Sequence, residues 1–528
     1  MNGTFRQSMS FLHTWAGLVL GWLLYFMFIT GATGYFFHEV DHWMKPEAPS
    51  AITVDQSQLL KIAEKRFATV SPDASAWYVR FPSPRNHNLN IWWDKPANEE
   101  TGEKGSSGDE ILDPATGLPV AVRDTGGGRL LYKMHYALHY IPTQVTDWIT
   151  SLAAMFMLLG LITGIIIHKK IFIDFFTFRP GKKQRSWLDM HNVLSVLPLP
   201  FYLMITYSGL IYLMFTTMPG VVGINYGFGE EINNRFHCAL YSDERKPSGV
   251  AAKGISMSSV LVTVEKRLGK NQLGFIGLTN KGDSHANILV EEQGFDGLSE
   301  KAELIYDGIS GELIDDGLRE LTAAKQFYHV MGYLHEGEFS NIFLRWLYFL
   351  SSLMGAGMIA TGMVLWAGKR RLKAKKHGVS KGFLLVEYTN SGAIIGLPIA
   401  IAAYFWANRL IPVSFEARAE WEVHTLFITW ALMLLYPILV AAKRSLKQAW
   451  VDQLLLAAAA FSLIPLLNFL TTDKHLITNF YQQDWVLIGF DLSMLLFGLG
   501  FAFAAKRVHK KTATAINAGS VESQSVKE

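Results

Sequence analysis

The chain has 528 residues, of which 50% are apolar, 13% aromatic and only 18% charged. Soluble domains carry about a quarter charged residues, so this composition favours a membrane protein over a purely water-soluble one. The formal net charge of +3 is too small for a general polyanion binder, and we expect no nucleic-acid partner. The single cysteine, Cys238, excludes an intrachain disulfide, a cysteine-based zinc site and an iron–sulfur cluster held by this chain alone.

A helix needs about 20 apolar residues to cross the hydrocarbon core of a bilayer. Eight segments meet this requirement and predict an integral membrane, all-α helical bundle of about eight transmembrane helices. They run approximately over residues 11–37, 148–167, 193–215, 342–366, 384–406, 421–442, 451–470 and 485–505. The first is too long for a cleavable signal peptide, and we interpret it as a retained anchor.

Lysine and arginine are concentrated in the loops on one side of this bundle. They follow the second, fourth, sixth and eighth segments, at Lys169, Lys170, Arg179, Lys182, Lys183, Arg185, Lys369, Arg370, Arg371, Lys373, Lys375, Lys376, Lys443, Arg444, Lys447, Lys506, Arg507, Lys510 and Lys511. The short loops on the other side carry only Arg409, Arg418 and Lys474. The positive-inside rule therefore predicts that both termini are cytoplasmic, as in a multi-pass protein of the bacterial inner membrane.

Two long hydrophilic stretches fall on the outer side, in the periplasm of a Gram-negative bacterium. Each contains a helical pattern, then alternating strand-like residues, then a turn rich in Gly and Asp, and so predicts a small α+β domain. The predicted organisation is transmembrane helix 1 in residues 11–40, outer domain 1 in 41–146, helices 2 and 3 with a cytoplasmic loop in 147–217, outer domain 2 in 218–341, helix 4 in 342–371, helices 5 to 8 in 384–505 and a cytoplasmic tail in 506–528.

The first four helices and the two outer domains form an internal repeat. Residues 131–139 and 327–335 both close on Leu-His, and the helices that follow carry matching Thr-Gly pairs at 163–164 and 361–362. Similar segments recur in the same order and type, which indicates duplication. The repeat defines two pairs of equivalent histidines, His13 with His191 and His139 with His335.

These pairs predict a redox cofactor. His13 and His191 lie where helices 1 and 3 enter from the cytoplasm, whereas His139 and His335 lie where helices 2 and 4 enter from outside. Two imidazoles that face each other across a bundle core are the ligands of a bis-histidine haem. Both axial positions are then closed, so the iron transfers electrons and offers no open position to substrate. We assign no catalytic residue from the sequence.

Three further histidines keep the ligand assignment open. His135 lies one helical turn before His139 and could replace it, His329 stands in the same relation to His335, and His168 could replace His191 as the partner of His13. Any single histidine at a membrane border is more often an interface residue than a ligand. The repeated pairing at equivalent positions is what favours ligation.

The sequence resembles the PepSY-associated transmembrane proteins, also described as iron-regulated membrane proteins, which include bacterial ferric-siderophore reductases. The resemblance covers about residues 8–371 and rests on FLHTWAG at 11–17, the turn at 113–117, YALH at 136–139, DMH at 189–191, LHEG at 334–337 and the Thr-Gly pair at 361–362. It implies two PepSY-like periplasmic domains and two b-type haems near opposite membrane faces. It also implies reduction of Fe(III) in a ferric siderophore with release of Fe(II). Helices 5 to 8 go beyond the family's minimal unit.

The electron donor and the function class stay open. No Gly-x-Gly-x-x-Gly motif follows a predicted strand, so the donor is a separate cytoplasmic reductase, a diffusible reduced flavin or quinol. One alternative is a transporter of a metal chelate, with Pro198, Pro200 and Pro398 as helix breaks along a substrate path. The other is a PepSY-type regulatory membrane protein without a redox centre, which would be colourless.

Overall fold

The computed structural model describes residues 4–49, 55–96, 105–168, 179, 184–229, 232, 235–236, 245–293, 303–316 and 323–525, with the backbone alone at 324, 372–377 and 511–525. The residues outside the described ranges include Cys238 and four of the lysines used to predict the membrane orientation, namely Lys169, Lys170, Lys182 and Lys183. The chain divides into two compact units. The helical unit comprises Met1–Met44, Asp124–Leu210 and Ile342–Glu528, and the sheet unit comprises Lys45–Arg123 and Ile211–Asn341.

The helices, in chain order, are α1 Phe5–Val19, α2 Gly21–Gly34, α3 Phe37–Met44, α4 Gln56–Val70, α5 Gly127–Met134, α6 Thr143–Ile167, α7 Gln184–Val196, α8 Leu199–Tyr212, α9 Met214–Thr217, α10 Pro219–Tyr226, α11 Leu261–Leu268, α12 Ala323–Glu336, α13 Ile342–His377, α14 Lys381–Ile394, α15 Gly396–Leu410, α16 Arg418–Ala441, α17 Leu446–Ser462, α18 Ile464–Thr471, α19 Leu476–Gln482 and α20 Trp485–Ser525. A 3₁₀ turn, Met257–Val260, precedes α11.

Within the described residues, six helical stretches are long and apolar enough to cross a membrane without a sharp bend. They are Thr143–Ile167, Ile342–Arg371, Lys381–Leu410, Arg418–Ala441, Leu446–Thr471 and Trp485–Lys510. Two further stretches pass only as bent pairs, α1 with α2 and α7 with α8. The count is therefore eight, as predicted, if each bent pair is one span.

The two bends are equivalent in the repeat and almost equal in size. The α1–α2 pair bends by 63° and the α7–α8 pair by 62°. Pro198 lies in the second break, where its ring and missing N–H interrupt the helical hydrogen bonds. Gly21 follows the first break and lowers the local helix propensity. Different residues therefore produce the same bend in the two halves.

The sheet unit contains a single seven-stranded antiparallel sheet within the described residues. Its strands are β1 Ala76–Arg80, β2 Leu89–Lys95, β3 Ser106–Leu112, β4 Leu273–Thr279, β5 Asn287–Glu292, β6 Glu303–Asp307 and β7 Leu313–Asp315. They are arranged in the order β3-β2-β1-β4-β5-β6-β7.

The two predicted outer domains therefore share one sheet. Strand β1 from the first stretch pairs with β4 from the second, with Tyr78 opposite Gly277. The first stretch contributes three strands and the second four, and the shared β1–β4 ladder satisfies an open edge of each. The expectation of two separate domains was wrong on this point, although each half does have the predicted α+β composition.

The two predicted turns are confirmed and have the same geometry. After β3, the carboxylate of Asp113 accepts hydrogen bonds from the backbone N–H groups of Ala115 and Thr116, and Gly117 adopts φ 71°. After β6, Asp307 accepts from the N–H groups two and three residues on, and Gly311 adopts φ 77°. A side chain is strained at such a positive φ, which explains the glycine in both turns.

A buried polar network joins the C-terminal helices to the segment before α5. Arg418 and Glu422 are 1% and 0% exposed and form an ion pair on α16. The Arg418 guanidinium also donates to the carbonyl oxygen of Asp124 at 2.7 Å, and Thr125 donates to Glu422 at 2.5 Å. Tyr404 donates to the carbonyl oxygen of Gly127 at 2.9 Å. The C-terminal helices thereby determine where α5 begins.

We expect Arg418→Met to destabilise the helical unit strongly, because the carboxylate of Glu422 would be left buried without its cation. The cost of breaking such a pair is about 3–5 kcal/mol. The double variant Arg418→Met/Glu422→Gln should recover most of the lost melting temperature, since it leaves no buried charge and keeps the hydrogen bonds to Thr125. Equal melting temperatures for the single and double variants would contradict this prediction.

The sheet unit should show a pH dependence that comes from Asp307. Burial alone would raise the pKa of Asp307, but the Arg245 guanidinium, at 2.6 Å, and two turn N–H groups lower it to about 2. A carboxyl group whose pKa is lower in the folded state stabilises that state above its unfolded pKa of about 4, and this contribution is lost as the pH falls towards 2.

We therefore expect Arg245→Gln to lower the free energy of unfolding by about 1 kcal/mol at pH 7, since the turn hydrogen bonds persist. The difference from the parent chain should shrink steadily as the pH falls from 5 to 2, as measured by denaturant unfolding of the full chain. Lys246→Gln is the control, because Lys246 has no carboxylate partner among the described side chains. A difference that is independent of pH would contradict the assignment to Asp307.

Candidate functional site

His13, on α1, is hydrogen-bonded to the helix that follows it in the repeat. Its Nδ1 lies 2.9 Å from the carbonyl oxygen of Gly160 and 3.3 Å from the hydroxyl of Thr163, both on α6. A carbonyl oxygen only accepts hydrogen bonds, so Nδ1 carries the proton. The proton on Nδ1 leaves the lone pair on Nε2, which is the form of neutral imidazole that binds a metal.

His191, on α7, repeats this arrangement in the second half. Its Nδ1 lies 2.8 Å from the carbonyl oxygen of Met358 and 3.3 Å from the hydroxyl of Thr361, both on α13. The same assignment therefore leaves the lone pair of His191 on Nε2. Two equivalent histidines thus have the same tautomer and the same anchor.

The Thr-Gly pairs of the repeat have a specific role in this arrangement. A Cβ atom on Gly164 would lie 3.3 Å from Cε1 of His13, and one on Gly362 would lie 3.2 Å from Cε1 of His191. These distances are short for a carbon contact, so a side chain at either position would push against the imidazole. The sequence showed the Thr-Gly repeat, but only the structure shows that it seats the two histidines.

The structure brings His13 and His191 together. Their ring centroids are 6.4 Å apart and their planes are inclined by 73°. A metal bound to two imidazoles lies about 2 Å from each nitrogen, and each nitrogen lies about 1 Å from its ring centre, so the two centres would be about 6 Å apart. Neither Nε2 has a hydrogen-bond partner among the described residues. The pair therefore fits one metal ion bound axially by two histidines.

A cavity of about 990 Å³ in the helical unit surrounds this pair. Its walls include Leu24, Met157, Leu161, Met358, Ile359 and Met363. This volume is at the upper end of the range for cofactor sites, about 300–1,000 Å³, and an apolar lining is typical of them. His168 also lines the cavity, so it stays a candidate for a supporting role beside the pair.

His135 has the same kind of anchor as the two inner histidines. Its Nδ1 lies 2.7 Å from the carbonyl oxygen of Met27, on α2, and a Cβ atom on Gly31 would lie only 2.6 Å from Nδ1. In all three cases the carbonyl belongs to one residue and the glycine comes four residues later, as in Gly160 with Gly164. Burial lowers the pKa of His135, although the hydrogen bond to Met27 opposes the shift.

His139 lies in different surroundings. Its ring is exposed, stacks on Phe427 with centroids 6.0 Å apart, and contacts Tyr140 at 4.6 Å. Tyr140 in turn is hydrogen-bonded to Nδ1 of His424 at 2.7 Å. Partial burial lowers the pKa of His139, and the nearby charges of His424 and Lys133 lower it further. His139 therefore faces the C-terminal helices, whereas His135 faces α2.

The second-half histidines belong to the sheet unit. The ring of His335 lies edge-on to Tyr212, with centroids 5.6 Å apart, and that of His329 stacks near Tyr333 at 6.4 Å. Both rings are half-buried on α12. The pairing of His139 with His335 stays a prediction.

Apolar spans, two equivalent bent helix pairs and a separate α+β unit indicate a multi-pass membrane protein with a separate antiparallel sheet. The family model for the PepSY-associated TM region matches residues 11–369, and the chain belongs to this family. A search of the curated proteins finds no match. The match includes the His13/His191 pair and both Thr-Gly pairs, and helices 5 to 8 lie after it.

Proposed function

We propose that the chain is a haem-dependent oxidoreductase of the bacterial inner membrane, which reduces Fe(III) in a ferric siderophore on the periplasmic side and releases Fe(II). Electrons would come from the cytoplasmic side. Oxygen-donor chelators hold Fe(III) much more tightly than Fe(II), so a single electron weakens the complex. Membership of the PepSY-associated family supports the membrane location.

The observation that carries this proposal is the His13/His191 pair. Both imidazoles are fixed as the Nδ1–H tautomer by backbone carbonyls, and their spacing of 6.4 Å suits one iron between them. Interface histidines have no reason to share a tautomer, a threonine contact and a facing glycine. Contacts of this kind fix the tautomer and the direction of Nε2 in a metal-binding histidine.

The chain's own residues would prepare the cavity for haem, which supplies a one-electron couple when bound. His13 and His191 would hold the haem iron through their Nε2 atoms. Thr163 and Thr361 limit the rotation of the two rings through their contacts with Nδ1. The apolar walls exclude water, so an electron can arrive without a compensating proton at these residues.

A second b-type haem would lie nearer the outer face. The sequence predicts His139 and His335 as its ligands, with His135 and His329 as alternatives. The anchor shared with His13 and His191 favours His135 over His139 as the ligand from the helical unit. We therefore propose His135 for this role, while His335, or His329 in its place, stays the sequence prediction for the other ligand.

The donor remains one of three classes: a cytoplasmic reductase, reduced flavin or quinol. The bent helix pairs also favour one other function, since interrupted spans are common at the substrate sites of transporters. A transporter of metal chelates would keep the bends and lack haem. A regulatory protein without a redox centre would also lack haem, so a colourless protein would support either alternative.

The purified full-length chain should contain two b-type haems, measured as pyridine haemochrome per chain together with oxidised and dithionite-reduced spectra. His13→Ala and His191→Ala should each remove one haem, because each would take away an axial ligand. A colourless parent chain from haem-sufficient cells would overturn the proposed function.

The number of haems per chain also distinguishes His135 from His139 as the ligand of the second haem. His135→Ala should lose the second haem, whereas His139→Ala should keep both, because only His135 has the backbone anchor and facing glycine. His424→Ala, which removes the hydrogen-bonding partner of Tyr140, is the matched control and should keep both haems. Loss of a haem in His139→Ala but not in His135→Ala would restore the assignment made from the sequence.

The proposed activity predicts that a ferric siderophore reoxidises the dithionite-reduced, desalted protein under anaerobic conditions. Stopped-flow absorbance would follow the haem bands, and a ferrous chelator would trap the Fe(II) product. The gallium complex, which has the same charge and shape but no accessible reduction, is the control and should cause no oxidation. Oxidation by oxygen alone, with no response to any ferric chelate, would count against a metal substrate.

A further inference from the structure

The cavity around His13 and His191 has an uneven charge. Among the described residues, four cations line it, namely Arg179, Arg185, Lys369 and Arg370, against one carboxylate, Asp189. Arg185 lies on α7, whereas Lys369 and Arg370 lie on α13, which also contributes the apolar Met358, Ile359 and Met363. The cavity therefore combines a large apolar surface with an excess of positive charge.

Asp189 neutralises only one of these cations. Its carboxylate is 3% exposed and accepts hydrogen bonds from the backbone N–H and the guanidinium of Arg179, at 3.1 to 3.2 Å. Within the part of the chain that the structure describes, Arg185, Lys369 and Arg370 have no carboxylate within ion-pair distance. Three positive charges thus remain available to a ligand in the cavity.

Arg370 is held in place by aromatic rings. Its guanidinium carbon lies 3.8 Å from the ring centre of Trp366 and 5.8 Å from that of Trp15. Cation–π contacts use the faces of the guanidinium and leave its N–H groups free for an anion. Trp15 comes two residues after His13, and Trp366 comes four residues after Gly362. Arg370 therefore connects α13, which anchors His191, with α1, which bears His13.

Arg370 lies on the helix that anchors His191. Met358, whose carbonyl anchors His191, and Trp366, whose ring contacts the Arg370 guanidinium, are eight residues apart on α13, which corresponds to about 12 Å along the helix axis. Arg370 and both histidines line the same cavity, so a ligand that fills it would contact the pair and the cation.

We infer that this end of the cavity is a recognition site for the carboxylates of a flat, apolar ligand. Arg370, Lys369 and Arg185 would bind the carboxylates and orient the ring. In haem the carboxylates are the two propionates, and in this form the inference rests on the proposed function. A role in topology alone would need positive charges anywhere in this loop, but it would not need Arg370 to be held by Trp15 and Trp366.

The test compares two porphyrins that differ only in their carboxylates. The full-length chain, purified without haem from haem-deficient cells, is titrated with ferric protoporphyrin IX and with its dimethyl ester, and the Soret band is measured. Binding to empty detergent micelles is subtracted for each. We expect the parent chain to prefer the free acid by about tenfold or more, because charge-assisted hydrogen bonds are lost with the ester.

Lys369→Gln/Arg370→Gln should reduce this preference by about tenfold while leaving the affinity for the ester nearly unchanged. The matched control is Lys443→Gln/Arg444→Gln, which removes two charges from a loop on the same predicted side of the membrane but away from the cavity. This control should retain the parent preference. Arg370→Lys should retain part of it, since a lysine keeps the charge without the planar fork.

The outcomes separate the two proposals. If the parent chain binds neither porphyrin, the proposed function and the inference fail together. If both porphyrins bind but the preference is the same in the parent, the cavity variant and the control, the carboxylate site is wrong while the histidine site stands. Should the double variant not fold, Lys369→Gln, at an exposed position, provides the same comparison with a single charge.

Discussion

The hydrogen bond from a histidine Nδ1 to a backbone carbonyl is the interaction on which the proposed site depends. It selects the tautomer, and it requires the imidazole to lie directly against a neighbouring helix. The ring can come that close only where the residue four positions after the carbonyl has no side chain, as at Gly164 and Gly362. Tautomer, glycine and threonine are therefore parts of one arrangement. The carbonyl and the glycine occur together a third time, at His135 and Gly31, so these two parts are not confined to the two inner histidines.

The C-terminal helices acquire a structural role from the polar network at their ends. Arg418 and Tyr404 bind backbone carbonyls just before and at the start of α5. Trp43, at the end of α3, is held between Asp491 and Arg409, since its indole donates to the first and its carbonyl accepts from the second. The segment that leads to His135 is thus supported from outside the histidine-bearing helices. Buried ionic contacts of this kind demand a unique geometry, because any shift leaves a charge without a partner.

Duplication explains both units, but each unit uses it differently. In the helical unit the repeat places His13 and His191 on opposite sides of one cavity. In the sheet unit it places β1 beside β4, so that two α+β halves close each other's open edges. The halves are not identical, because His168 stands where the second half has Trp366. Trp366, which with Trp15 flanks the guanidinium of Arg370, consequently has no counterpart in the first half.

Sequence alone determined the membrane segments, the two turns and the equivalence of His13 with His191, because these depend on local hydrophobicity, on positive φ angles and on repeated residue order. It could not decide that β1 pairs with β4, since an exposed strand edge can pair with any suitable partner and 192 residues separate Arg80, at the end of β1, from Leu273, at the start of β4. Pairing between strands so far apart in the chain leaves no signal in the local sequence. The choice between His135 and His139 was likewise open, because the two histidines lie only four residues apart in the same short segment. Only the tertiary structure shows which ring meets a carbonyl and a glycine on α2, and which meets the aromatic side chains of α16.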